Sequence, residues 1–447
     1  MIKTRFAPSP TGYLHIGNAR IAIIAWLFAK KNHGELILRI DDTNSHKIKE
    51  YFIDEIKKDL DWLNITYNTI FQQSNRIKQY NIAKNKLIKI KRLYPCFETK
   101  YELSIKRKKQ LQSGLPPIYN RSSLLLNKYQ VATLKQCEYK PYWRFYLNDN
   151  KIFWHDHIKG KLQFKSSKLN DPIVIKNNTN TTYSLASAID DIEYSITDII
   201  RGEDHISNSA IQIQIFRAMQ TSPPNFAHLP LMTLEEKKIS KREGGYTIRN
   251  IRNNDILPDA VIIYLSKIGS SKMLTYNCNT KNLIKTFSFN KINNASVTYD
   301  NRMIINLNTK IIRTMTCDQI KSLLSKNISE KLWNIAKYNI INTKEITLWN
   351  KILDDNLKPI RLQDRALLKI AFEQLPKCDI SNIAYKKWIE NIKKNTNKRG
   401  KELFIPIRLA LTGMTKGPKM TAIITVLGRK KIIQRLLMYN NTILTKN

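Results

Sequence analysis

The chain has 447 residues, with 75 lysines and arginines against 36 acidic residues and a formal net charge of +39. That length suits roughly three domains, and the charge points to a polyanionic partner, nucleic acid first, although A+T-biased coding in a chain rich in Asn, Ile and Lys produces the same drift. The five cysteines (Cys96, Cys137, Cys278, Cys317 and Cys378) form no CxxC pair, and the charged start MIKTRFAPSPTG is followed by no bilayer-length apolar run, which argues against a disulfide framework, a zinc ribbon, a signal peptide and a membrane span.

Residues Ile2 to Ala7 read as a short strand, and PSPTGYL is turn chemistry before a helical pattern that begins near His15. Ile21, Ile24, Ala25 and Phe28 recur at helical spacing, Gly34 ends the helix, and Glu35 to Ile40 supply a second strand. A further amphipathic helix carries Ile53, Ile56, Leu60 and Leu63 on one face, so this region is an open α/β nucleotide-binding fold.

From about Tyr94 a basic helix (SIKRKKQLQ), a break at Gly114 to Pro117 and strand-like pieces such as YWRFYL suggest an inserted domain. The α/β pattern resumes after NNTNTT, where TYSLASAIDD and ITDIIRGEDH read as strands with polar ends. Beyond about Asn225 come a loop, KKISKREGG, and a helix DAVIIYLSKIG. From about Lys310 the chain is helical and basic.

Two motifs carry chemistry. In PSPTGYLHIGN (Pro8 to Asn18) a histidine, a glycine and a polar residue stand at a helix start, where free N–H groups and the positive helix end attract anions. His15 can donate to phosphate oxygens, and Gly17 lets a nucleotide approach the backbone; alone, an HxGx is more often a helix-capping histidine. The second motif is Lys238-Ile239-Ser240-Lys241-Arg242, whose two lysines suit electrostatic stabilisation of departing pyrophosphate. By itself a lysine-rich loop is usually solvated surface.

In this order the two motifs resemble the HIGH and KMSKS signatures of class I aminoacyl-tRNA synthetases. RFAPSPTGYLHIGNAR, LRIDDTN, FQQSNRIKQY, CFETKYELSIKRKKQLQSGLPPIYNR, SAIDDIEYSITDIIRGEDH, KISKREGG and ELFIPIRLALTG together resemble the bacterial glutamyl-tRNA synthetase family along nearly the whole chain. Glutaminyl relatives are expected to read PEPNG at the first motif, and the short relative that modifies queuosine lacks an anticodon-binding half.

The resemblance implies a Rossmann-type catalytic domain (1–94 and 181–225), an inserted α+β acceptor-end-binding domain (95–180), a stem-contact region carrying the KISKR loop (226–309) and an all-α anticodon-binding region (310–447). It assigns catalysis to His15, Gly17, Asn18, Lys238, Ser240 and Lys241, glutamate binding to Arg5, Ser9, Asp41, Tyr183, Ser187 and Arg201, and ATP binding to Pro8, His15, Gly17 and Lys241. Two arginines on separate strand ends suit the two carboxylates of glutamate, although each is also a possible ion-pair partner of the protein itself. The implied reaction is ATP-dependent activation of L-glutamate, with Mg²⁺ accompanying ATP, and transfer to tRNA(Glu); whether tRNA(Gln) is also charged is open. A cytoplasmic monomer is expected.

This chain departs from the family pattern at Asp41, Asn44 and Ser187, where glutamate, aspartate and asparagine are usual. The family's zinc site would retain only Cys96, with Glu98 and Ser122 or Ser123 at positions of further cysteines, so no zinc is expected. The HxH pair His155 and His157 reads as ordinary polar side chains. Tyr299, Trp333 and Trp349 are candidates to stack on bases, with core packing the commoner use of such aromatics. Two rival readings are a non-catalytic RNA-binding paralogue and a nucleotidyltransferase of the same superfold acting on a small metabolite.

Overall fold

The computed structural model describes residues 1–43, 50–137, 139–148, 151–177, 180–234, 246–270, 279–324, 326–354, 364–377 and 380–440. They form two compact units, one of 1–253 with 261–301, the other of 254–260 with 302–447.

The first unit opens with β1 (Lys3–Phe6), α1 (Ile16–Lys31), β2 (Glu35–Ile40), α2 (Glu50–Trp62), β3 (Thr69–Gln72) and α3 (Ile77–Lys89). Then come β4 (Leu93–Cys96), α4 (Lys100–Gln112), α5 (Lys128–Gln136), β5 (Tyr142–Phe145), β6 (Lys151–Asp156), β7 (Gly160–Lys165) and β8 (Ile173–Ile175). It continues through α6 (Tyr183–Glu193), β9 (Asp198–Gly202), α7 (Ile206–Ala218), β10 (Asn225–Leu229), β11 (Met232–Leu234), α8 (Ile248–Asn253), α9 (Pro258–Lys267), α10 (Thr280–Thr286) and β12 (Val297–Tyr299).

Seven strands make one sheet in the order β3-β2-β1-β9-β10-β6-β7, parallel except for the β6–β7 hairpin. The chain builds outward from β1 to β2 and β3 on one side, and β9 and β10 lie on the other. A crevice therefore opens at the C-terminal ends of β1 and β9, the switch point where parallel α/β sheets bind ligands.

Several expectations change here. TYSLASAIDD is the helix α6 and not a strand, because Leu185, Ala188, Ile189 and Ile192 recur at helical spacing and pack with Leu87, Phe145 and Ile215. Residues Asn225–Leu229, which the sequence left without an element, form the strand β10, where Phe226 to Leu229 are all buried between two neighbours and so show no alternation. In α1 the apolar surface is not one face: Ala22 to Leu27 are all buried, whereas Ile21 and Phe28 are only partly so. That helix packs against β1, β2, β9 and α10, leaving little of it to solvent.

Segment 95–180 is likewise not one inserted piece. Its β4-β5-β8 strands form a separate antiparallel sheet, accompanied by the basic helix α4, which buries no residue. The β6–β7 hairpin instead joins the main sheet beside β10, burying Ile152 with Ile37, Ile199, Ile213 and Phe226. Within 226–309, β10 belongs to the main sheet and β11 pairs with β12.

The second unit is helical, with eight helices among the described residues between 301 and 440. Trp333 and Trp349 are core residues at 1% and 4% exposure. Trp333 Nε1 donates to the Met315 carbonyl at 3.1 Å. A Cβ on Gly417 would sit 2.1 Å from Trp349 Cζ2, so the loop before the last helix approaches that ring closely enough to require glycine. In the first unit Tyr299 is buried too; none of the three offers a face to an RNA base. Among the described residues, no helix is long and apolar enough to cross a membrane.

Candidate active site

The crevice holds a cavity of about 560 Å³. Arg5, Pro8, Ser9, Asn18, Asp41, Tyr183 and Arg201 all line it, joined by Ile21, Gln73, Lys176 and His205. Topology explains the convergence: Arg5 and Arg201 sit near the C-terminal ends of the neighbouring strands β1 and β9, Asp41 follows β2, and Tyr183 begins α6.

Ser187, expected among the glutamate contacts, is not among the residues that line the cavity. It is fully buried one turn beyond Tyr183, and its hydroxyl accepts from Arg39 Nη2 at 2.8 Å. Arg39 is the hub beneath the cavity. It donates to Asp41 through Nε at 2.7 Å and Nη2 at 3.3 Å, and to Asp191 through Nη1 at 2.8 Å. Burial opposes its charge, but Asp41 and Asp191 outweigh that and raise its pKa. Burial also pushes Asp41 up to about 6 in spite of Arg39.

The two pocket arginines are not equivalent. Arg5 Nε donates to Asp191 Oδ1 at 3.1 Å, so this cation has an internal carboxylate. Arg201, 4% exposed, has no carboxylate within 4 Å among the described residues. Its Nη1 donates to the Tyr183 hydroxyl at 3.3 Å and its Nη2 to Ser209 Oγ at 2.5 Å, while its buried Nε has no partner. Burial lowers its pKa, and the nearby Arg5 adds to that effect. A buried guanidinium beside a cavity and without a counter-ion is suited to an anionic ligand.

The FQQSNRIKQY stretch serves the same floor. Gln73 Nε2, Arg76 Nε and the Tyr80 hydroxyl donate to Asp190 at 2.8, 2.7 and 3.0 Å, and Ser74 donates to Asp42 through its backbone N–H and its hydroxyl. Its spacing is thus that of a helical turn wired to two acids.

The PSPTGYLHIGN turn leads into α1. His15 caps that helix: its Nδ1 accepts from the Gly17 N–H at 3.2 Å, which in a neutral ring leaves the proton on Nε2. Desolvation lowers its pKa, so the ring is neutral at pH 7. The capping alternative is therefore what this side chain does in the free protein, with Nε2–H left to donate. A Cβ on Gly17 would meet only His15 Nδ1, at the ordinary distance of 3.5 Å, among the described residues.

Lys238, Ser240 and Lys241 lie outside the described residues, as does Asn44. The backbone after that segment returns beside the first motif: Ile16 N–H donates to the Tyr246 carbonyl at 3.0 Å and Ile248 N–H to the Leu14 carbonyl at 2.9 Å. Arg249 lies 4.5 Å over the Tyr13 ring and donates to the Tyr51 hydroxyl at 3.0 Å.

Around Cys96 the side chains do not fit zinc. The Glu98 carboxylate accepts from the hydroxyls of Tyr119, Ser122, Ser123 and Tyr142 at 2.7 to 3.2 Å. Burial alone would raise its pKa, yet the bonds from Tyr119, Ser123 and Ser122 bring it down to about 2. Burial pushes the Cys96 thiol up to about 11, away from the thiolate a metal needs. Of the HxH pair, His157 stacks on Phe289 and pairs with Asp198 at 3.3 Å.

Arg39, Asp191, His205, Lys176, and the buried trio of Asp156, Ser209 and His228 escape a reading by motif. Only the polar residues inside otherwise apolar strands, such as the arginine of ELILRI and the histidine of NFAHL, signal them.

A parallel sheet with a cationic cavity at its switch point, behind an HIGN-capped helix, defines a class I aminoacyl-tRNA synthetase catalytic fold. Residues 1–305 match the family described as tRNA synthetases class I (E and Q), catalytic domain, and residues 299–439 match an anticodon binding domain. Relatives named glutamate–tRNA ligase 1 share 43% identity in Rickettsia typhi, covering 97% of this chain and 98% of the relative, and 41% in Ehrlichia ruminantium strain Gardel, covering 98% of each. The chain belongs to the glutamate–tRNA ligase family. A crystal structure of a glutamate–tRNA ligase from Elizabethkingia meningosepticum shares the fold at a TM-score of 0.81 and 24% identity, covering 98% of this chain and 99% of that one.

Proposed function

We propose that the switch-point cavity binds L-glutamate and ATP, and that the chain charges tRNA(Glu) in two steps. The observation that carries this is Arg201, a buried cation facing the cavity with no carboxylate beside it among the described residues. Arg5, already shared with Asp191, binds the second carboxylate, and Asp41 takes the ammonium group. The glutamate α-carboxylate attacks the α-phosphorus of ATP, which enters as its Mg²⁺ complex, and pyrophosphate leaves. A ribose hydroxyl of the terminal adenosine then attacks the glutamyl carbonyl and AMP leaves. No enzyme nucleophile is required; positioning and charge supply the catalysis. His15 Nε2–H donates to phosphate oxygens, Gly17 and Asn18 admit the nucleotide at the start of α1, and Lys238 and Lys241 neutralise the departing pyrophosphate.

The basic α4 and the cavity of about 520 Å³ beside it, with Lys106, Arg107, Lys109 and Arg144 in its lining, support a contact with the acceptor end. The protein acts in the cytoplasm as a monomer and holds no structural zinc. Aminoacylation of purified tRNA(Glu) and tRNA(Gln) side by side tests the reaction and the range of acceptors. ATP–pyrophosphate exchange with and without tRNA tests the rivals: a non-catalytic paralogue gives none, and a metabolite-specific nucleotidyltransferase gives exchange that ignores glutamate and tRNA.

A further inference from the structure

Arg201 does not stand alone in the sheet. Its partner in the register of the adjacent parallel strand is His228 on β10, and the next strand, β6, ends at Asp156, opposite Phe226. Ser209 reaches the same place from α7. Asp156, His228 and Ser209 are all fully buried. His228 Nδ1 lies 2.5 Å from Asp156 Oδ2, His228 Nε2 lies 2.7 Å from Ser209 Oγ, and Ser209 Oγ accepts from Arg201 Nη2 at 2.5 Å.

Donor and acceptor bookkeeping sets the direction of this chain. The other oxygen of Asp156 accepts backbone N–H bonds from Ile158 and Lys159 at 3.0 Å and from His228 at 3.1 Å; burial alone would raise the Asp156 pKa, yet its bonds from His228, Lys159 and Ile158 lower it, so the group is an acceptor-only carboxylate. His228 Nδ1 must then carry a proton. Burial lowers the His228 pKa, and in a neutral ring with Nδ1–H the other nitrogen accepts. Ser209 therefore gives its single proton to Nε2 at 2.7 Å rather than to the more distant His205 carbonyl at 3.3 Å, and turns its oxygen toward the guanidinium. Each bond polarises the next, which makes Ser209 Oγ a stronger acceptor for Arg201 without a carboxylate touching it.

We propose that Asp156, His228 and Ser209 are a positioning relay that aims Arg201 at the cavity and leaves it free for a substrate carboxylate. This assigns the three residues to amino-acid selectivity, although none of them lines the cavity itself. A direct carboxylate partner would satisfy Arg201 internally and compete with the substrate; a hydroxyl at the end of a buried relay holds it without competing. The serine is not a nucleophile, since it is fully buried with its oxygen committed to Arg201 and its proton to His228.

The proposal rests on the reading of the cavity as the glutamate site, and wild-type charging of tRNA(Glu) checks that reading separately. Ser209→Ala removes one oxygen and is expected to raise the KM for glutamate by about 10-fold to 100-fold, the range of a hydrogen bond to a charged group, with kcat at saturation and the KM for ATP unchanged. ¹⁵N-histidine spectra, with the His228 signals assigned through His228→Gln, should show a neutral Nδ1–H ring in the wild type that becomes Nε2–H in Asp156→Asn, accompanied by the same rise in KM. Glutamate and ATP constants that move together with the melting temperature would mean a merely structural role and overturn the proposal. So would an unchanged glutamate KM in Ser209→Ala, or a wild-type His228 protonated only at Nε2 or at both nitrogens near pH 7.5.

Discussion

Arg39 grips Asp41 with two N–H···O bonds of 2.7 and 3.3 Å, yet burial still leaves the carboxyl with a pKa of about 6. An acid raised in this way is protonated in the folded chain at pH values where the unfolded chain is already ionised. Its ionisation costs stability above about pH 6, and that cost disappears as pH falls toward the unfolded value near 3.8. Function runs the opposite way. The KM for glutamate is expected to rise as pH drops through 6 and Asp41 loses the charge that holds the ammonium group, while the KM for ATP stays level. In Asp41→Asn the glutamate KM should be high and flat from about pH 5 to 7. A wild-type profile equally flat across that window would remove Asp41 from the ammonium contact.

The unequal partners of the two pocket arginines lead to opposite stability effects. Arg5→Gln leaves Asp191, whose Oδ2 already lacks a partner, with Arg39 alone, and breaking such a buried pair costs about 3–5 kcal/mol. Arg201→Gln removes a cation that has no counter-ion among the described residues, so the melting temperature should hold or rise. Both substitutions should lower kcat/KM for glutamate at least about 10²-fold, as loss of a buried charge pair with the ligand does. Thermal melts beside steady-state kinetics separate the two, and equal destabilisation would contradict the asymmetry.

Gly17→Ala is expected to fold normally, since its Cβ meets only His15 Nδ1 at 3.5 Å. The added methyl intrudes instead on the approaching nucleotide. A rise of about tenfold or more in the KM for ATP, with an unchanged melting temperature, is the expected result. Normal ATP kinetics would move the nucleotide elsewhere along the turn.

Lys241→Ala should cut glutamyl-adenylate formation by about 10²-fold or more, the loss typical of one transition-state donor, with tRNA binding nearly unaffected. Full activity with weakened tRNA binding would make the lysine an RNA contact instead.

Glu98→Gln should destabilise the protein, because one acceptor oxygen is lost beneath four hydroxyl donors and each orphaned donor costs about 1–3 kcal/mol. Metal analysis of the purified wild type should find no stoichiometric zinc, and one zinc per chain would refute the reading of this cluster.

What the sequence determined by itself was what local pattern carries. The strands around Arg5 and Ile37 and the helix capped at His15 were legible because turn chemistry and periodicity are local properties, whereas the family and seven of the cavity's residues came through the resemblance that the motifs carry. Residues 182–191 were read as a strand because a short apolar run has no decisive period until its neighbours are known, and packing against Leu87, Phe145 and Ile215 settles it as a helix. Ser187 looked like a pocket residue beside Tyr183, but one helical turn carries it beneath the floor, onto Arg39. Only the tertiary structure decided which arginine keeps a counter-ion, since Asp191 lies 186 residues from Arg5 in the chain. The same holds for Asp156, Ser209 and His228, which come from a hairpin, a helix and a strand and meet only because β6, β10 and β9 are neighbours in the sheet. Charge compensation in a buried site depends on distances across the fold, and sequence spacing does not contain them.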